Sequence, residues 1–139
     1  MNAGRIALAA GGGTVAYFAA GFAMFALLPQ MMTEARKHAA LFRAPEEQMS
    51  RMPVMMAAIL AAIVAVTVIY AMTYRQGHGL ADGVRFGALV GLFVVFAFVV
   101  HNYVNLNLSL SLMLMQAAAY FVEWTVVGAA IGLLYRPPA

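Results

Sequence analysis

Long apolar runs alternate with short polar ones along this chain, and four of the runs are long enough to cross a bilayer. They cover residues 6–28, 53–74, 86–103 and 113–135. The first stops at Pro29. The second has Ser50 placed as an N-cap and Pro53 suited to a first helical turn, and the fourth ends ahead of Arg136-Pro137-Pro138. Each run approaches the ~20 residues that a ~30 Å hydrocarbon core requires of a helix, which satisfies its own backbone groups where water is absent. The pattern predicts an all-α fold, an integral membrane bundle of four transmembrane helices. It forms one domain over residues 1–139, with a charged loop at 33–51. The first run follows Arg5 as a signal peptide would, but it outlasts an h-region and continues past any Ala-x-Ala-like site, so it reads as a span.

One stretch departs from this pattern. "HNYVNLNLSLSLMLMQ", His101 to Gln116, alternates polar and apolar letters as a half-buried strand does. A lone strand in hydrocarbon would leave backbone groups unpaired at several kcal/mol each, roughly, so a spanning strand is excluded. Two readings remain. On a helix, Asn102, Asn105, Ser109 and Gln116 form a stripe that leads toward Glu123. In an extended connector over residues 105–111, the Asn and Ser side chains face headgroups and the leucines dip inward. The connector is favoured, because the third span needs somewhere to turn.

Composition makes lipid part of the solvent: 65% of the 139 residues are hydrophobic and 9% are charged, with a mean hydropathy of +0.87. A soluble domain of this size could not hide so much apolar surface. There is no Cys, hence no disulfide or thiolate metal site. The net charge of +3 suits topology signals and lipid headgroups better than nucleic acid. It does not set an orientation. Arg5, Arg75, Arg85 and Arg136 fall on one side, and Arg36, Lys37, Arg43 and Arg51 on the other. So even a balance is also what a dual-topology protein, pairing antiparallel copies, would show.

Small residues recur at helix-packing spacing in every span. Gly13, Tyr17 and Gly21 share a face of the first, and Ala57, Ala61 and Ala65 share a face of the second. Gly87 with Gly91, and Gly128 with Gly132, form G-x-x-x-G pairs in the third and fourth. Such faces let backbones approach closely in lipid, within one bundle or between subunits. The segment "TEARKHAALFRAPEEQMSR", Thr33 to Arg51, reads as a helix leaving the membrane, broken at Ala44-Pro45, and otherwise as a solvated connector touching headgroups.

Glu123 is the sharpest chemical signal. It sits near the middle of the fourth span, where an ionised carboxylate costs about 2.5–3.5 kcal/mol on insertion scales, and no Lys or Arg lies inside any span. Its candidate partners, Thr14, Tyr17, Thr67 and Tyr120, are all neutral. It is therefore expected to stay protonated and to donate a hydrogen bond, either as helix glue or as a ligand or proton site. Gln116, Tyr120 and Glu123 fall four and three apart, one stripe down the helix. Trp124, beside Glu123, lies too deep for the aromatic belt and is expected in the core, or else lining a pocket.

Metal and cofactor chemistry find little footing. His101, Asn102 and Asn105 mark the interface rim at the end of the third span, and a His at a helix C-terminus suits the dipole. His38 and His78 fall in loops and supply no second haem ligand. Met31, Met32, Met49, Met52, Met55 and Met56 cluster around one loop, but without Cys or His they read as apolar filler rather than a Cu(I) funnel. Gly11-Gly12-Gly13 lacks the strand and the Lys-Ser/Thr of a phosphate loop. No metal and no cofactor is expected.

From the third span onward the chain resembles a group of small, uncharacterised four-span bacterial integral membrane proteins of the domain-of-unknown-function type. The likeness lies in "FGALVGLFVVFAF", the Asn-containing connector "HNYVNLNL", and "LMLMQAAAYFVEWTVVGAAIGLLY" with its polar residue, aromatic residue and terminal Gly-x-x-x-Gly. The end of the first span, "GFAMFALLPQ", departs from the Trp and Tyr often found there in the group. The resemblance implies the four-span architecture and a bacterial inner membrane, and supplies no site residues.

No nucleophile-base pair, metal cluster or cofactor loop is visible, which argues against an enzyme. The favoured expectation is a structural or accessory membrane protein that assembles as a homo-oligomer or within a larger membrane complex, its partners being the bilayer and other membrane chains, not nucleic acid. The alternatives are a small proton-linked carrier or channel using Glu123, and a lipid- or cofactor-binding module lined by Trp124 and Tyr120.

Overall fold

A computed structural model describes residues 2–74 and 79–136. Arg75 and His78, named above for charge and ligation, lie outside the described residues, as do Pro137 and Pro138. Within them the chain forms five helices: α1 (Ala3–Leu27), α2 (Pro29–Lys37), α3 (Pro45–Thr73), α4 (Gly79–Asn105) and α5 (Leu110–Leu134). All but α2 are long and apolar enough to cross a membrane. No strand occurs among the described residues.

The helix ends follow from local chemistry. Asn2 caps α1, its side-chain oxygen accepting from the Arg5 N–H at 3.1 Å. Leu28 leaves helical geometry because Pro29 follows it, and Pro29 then opens α2 at a position where its missing N–H costs nothing. The helix through the second apolar run begins at Pro45, so Ser50 is not its cap and Pro53 is interior. Pro45 and the first-turn acids Glu46 and Glu47 make the better start, while the Ser50 hydroxyl donates to the Glu47 carbonyl at 2.9 Å. The turns ahead of Pro53 are exposed, so water can solvate the carbonyl that Pro53 leaves without a donor.

α5 is the hub. α4 and α1 both pack along it antiparallel, and α3 packs on α1, its Ile63 and Tyr70 reaching the core residues Val127, Ile131 and Tyr135. The α4–α5 contact is backbone against backbone. A Cβ on Gly87 would come within 2.5 Å of the Trp124 carbonyl oxygen and 2.9 Å of the Gly128 Cα, and Gly83 and Gly132 are as tightly placed. Of the expected G-x-x-x-G residues, Gly87 faces Gly128, Gly91 lies against Phe121, and Gly132 lies against Gly79 and Gly83, which extend the row by two turns.

On α1, the face carrying Gly13, Tyr17 and Gly21 turns to α5. Gly13 fits where Ile63, Val127 and Ile131 converge, and Gly21 lies against Glu123. The alanine face of α3 does not behave this way: Ala57, Ala61 and Ala65 are exposed, and α3 instead buries Ile63, Thr67 and Tyr70. The reason is volume. α1 offers Ala9, Ala10 and Gly13 to this contact, and a second small-residue face would leave it unfilled. At one end of the bundle, Tyr70, Tyr74, Phe86 and Tyr135 from three helices form an edge-to-face cluster with ring centres 5.3–6.2 Å apart.

The connector between α4 and α5 is extended but shorter than expected. Asn105 ends α4, its amide donating back to the His101 carbonyl at 2.8 Å, and Ser109 caps α5. Only residues 106–109 are non-helical. Ser111 lies inside α5, because the Ser109 hydroxyl accepts from the Leu112 N–H at 3.2 Å and starts the helix there.

Candidate functional site

α5 sets the stage, since Gln116, Tyr120, Glu123 and Trp124 all project from it. Glu123 is 7% exposed and points at α1: Gly21 leaves room for its carboxyl, where a Cβ would stand 3.3 Å from its Oε1, and the Tyr17 side chain makes a polar contact with it. Tyr17 in turn stacks edge-on against Trp124, ring centres 5.8 Å apart. Thr14 and Thr67 do not join them. Each donates to a carbonyl of its own helix, Ala10 at 2.9 Å and Ile63 at 2.7 Å. With no cation at this depth, a neutral carboxyl is the form that hydrocarbon tolerates.

Gln116 and Tyr120 face elsewhere. They line a recess of about 90 Å³ with Asn102 of α4, beneath Leu41 and Phe42 of the first loop. Its far wall includes Phe98 and Val99, which belong to a stretch, Val95–Val100, where α4 widens into a π-helical turn. Such turns displace side chains from regular register and are frequent at functional positions. Phe98 packs edge-on to Tyr120, ring centres 6.3 Å apart. The predicted stripe is therefore split in two: Gln116 and Tyr120 line the recess, Glu123 and Trp124 pack on α1. His101 and Asn105 are exposed at the rim and only Asn102 reaches the recess.

The first loop is more than a solvated connector. The Ser109 N–H donates to His38 Nε2 at 3.2 Å, and the Ser109 hydroxyl donates to Glu34 Oε2 at 3.0 Å. Glu34 also pairs with Lys37, and that cation together with the Ser109 hydroxyl holds its carboxyl below the usual glutamate range. The latch closes α2 and its following turn, Ala39–Leu41, over the recess. The residues involved are 71 and 75 positions apart, so no local pattern announces it.

A second, wider cleft of about 220 Å³ lies at the opposite end, between α3 and α4. Its lining of Tyr70, Tyr74, Asp82, Arg85 and Phe86 was not apparent from the periodicity. The only available signals were the tyrosines at span ends and the lone acid-base pair opening α4.

Comparison with curated proteins and with solved structures gives no match. A family model does match, over residues 8–132, and covers all four long helices in most of their length. The chain belongs to that family, described as a protein of unknown function (DUF1761).

Proposed function

We propose that this is a structural or accessory membrane protein, without enzymatic activity, in which Glu123 joins α5 to α1. The observation that carries the reading is the position of Glu123: almost fully buried between Gly21 and Tyr17, and lining neither cavity. A carboxyl that binds a transported proton or ligand needs a path to water, whereas one that acts as glue needs a neighbouring helix. The outward Ala57, Ala61 and Ala65 face of α3 supports assembly with another copy or with a membrane partner, because a small-residue face left unpaired in one chain suits close approach by a second helix. The resemblance to small bacterial proteins supports a bacterial inner membrane as the location.

The test is Glu123→Gln in proteoliposomes and in detergent. The amide keeps the shape and a hydrogen-bonding group, so the variant is expected to retain the melting temperature of the parent and the same passive proton leak. If Glu123→Gln instead abolishes a proton-driven flux that the parent shows, while the protein still assembles, the carrier reading replaces this one.

A further inference from the structure

The α3–α4 cleft stacks two chemistries in the order in which a phospholipid presents them. α4 opens with Asp82 and Arg85, then runs apolar from Phe86 through Val100, so these two side chains sit at the edge of the hydrocarbon and Phe86 and Leu89 lie one turn deeper. Asp82 and Arg85 pair only loosely, at 3.8 Å, and Arg85 remains 81% exposed. Tyr70 and Tyr74 close the α3 side, Tyr70 donating to the Gly79 carbonyl at 3.3 Å. A loose, half-exposed ion pair contributes little by itself and can open to receive a second pair of charges.

We propose that this cleft binds a phospholipid bearing a phosphoethanolamine headgroup, its phosphate on Arg85, its ammonium on Asp82, and one acyl chain along Phe86 and Leu89. Charge complementarity selects the headgroup. A purely anionic head would satisfy Arg85 and be repelled by Asp82. A choline head has the right charges but no N–H to donate to the carboxylate, whereas a primary ammonium has three. The apolar floor selects a lipid over a soluble phosphoethanolamine. None of this depends on the role of Glu123.

Native mass spectrometry of the full chain in mild detergent tests it, with phosphatidylethanolamine, phosphatidylcholine and phosphatidylglycerol of identical acyl chains at equal concentration. Phosphatidylethanolamine adducts are expected to exceed each of the others by about three- to fivefold, the scale of one partly exposed ion pair. Asp82→Asn should erase that preference in favour of phosphatidylglycerol, and Arg85→Gln should weaken retention of all three. Soluble glycerophosphoethanolamine at the same concentration should displace nothing. Equal retention of the three lipids by the parent, or a preference that survives both substitutions, overturns the proposal; competition by the soluble head overturns the acyl contribution. Both side chains are partly exposed, and unchanged helical circular dichroism confirms that the variants are folded.

Discussion

α5 meets α4 and α1 by opposite means. Toward α4 it presents Gly128 and Gly132 to Gly79, Gly83 and Gly87, and the two backbones touch. Toward α1 it presents Glu123 and Trp124, which meet Gly21 and Tyr17 through side chains. The first contact draws on dispersion between surfaces that fit, the main attraction left to helices where lipid tails are as apolar as leucine. The second adds a polar pairing that fixes rotation and depth but contributes modestly, because a helix separated from its partner in a membrane also finds other polar groups. Rigidity therefore resides on the α4 side, and adjustability on the α1 side.

The largest effect is expected where the backbones touch. Overpacking by a methyl group typically costs about 1–3 kcal/mol when neighbours can yield. Opposite Gly83 and Gly128 the neighbours are backbone atoms, which cannot rotate away. Gly83→Ala and Gly128→Ala should each fall at the upper end of that range, read as a loss of the folded fraction in denaturing-detergent titrations. Gly11, whose Cβ would meet nothing, is the control: Gly11→Ala should be neutral or slightly stabilising. Equal effects at Gly11 and Gly128 would show that the glycine row is not the main contact.

Next comes the polar contact with α1. Glu123→Ala removes the carboxyl and leaves a void opposite Gly21, and about 1–2 kcal/mol is expected from the same titration. Tyr17→Phe keeps the ring on Trp124 and loses only the hydroxyl of this polar contact, so the loss should not exceed about 0.6 kcal/mol, the average for an interhelical hydrogen bond in a membrane. A double-mutant cycle between the two positions should show coupling of similar size. Additive effects would mean that Glu123 and Tyr17 do not act on one another.

Much of this was legible from residue order, and for identifiable reasons. Spanning helices announce themselves by length and hydropathy, and the glycine pairs at 87/91 and 128/132 by spacing, because in lipid a close approach needs small residues at intervals of four. Spacing does not say which small face is used. Ala57, Ala61 and Ala65 carry the same signal as Gly13 and Gly21, yet α3 turns Ile63 inward to fill the room that Gly13 leaves. The polar stripe on α5 was correct as a list of neighbours and incomplete as a surface. Gln116 to Glu123 spans nearly two turns, and at each level along the helix a different neighbour stands opposite: the recess for Gln116 and Tyr120, Gly21 of α1 for Glu123. The π-helical turn at Val95–Val100 and the contacts to Ser109 are tertiary outcomes with no sequence period to reveal them.

The smallest expected effect concerns the latch over the recess, and pH separates its parts. Lys37 first, and the Ser109 hydroxyl second, favour the charged form of Glu34, so its folded-state pKa lies below that of the unfolded chain. A depressed carboxyl contributes stability that is complete above its unfolded pKa and fades as pH falls through the folded value. The latch should therefore hold at neutral pH and loosen below the ordinary glutamate range. Because Glu34 lies at the surface, the change should be local rather than global, and amide exchange is the measurement to read it. Protection at residues 106–109, the exchange rate taken against the intrinsic rate at the same pH, should fall in acid while the glycine-packed turns of α5 stay protected. Glu34→Gln should give the acid level of protection at neutral pH and abolish the pH dependence of that protection. His38→Ala removes the acceptor of the Ser109 N–H and leaves the Lys37 and Ser109 contacts of the Glu34 carboxyl, the larger influences on it, in place. It should raise exchange at that one amide at every pH and preserve the acid transition; loss of the transition in His38→Ala would assign it to the imidazole instead of the carboxyl.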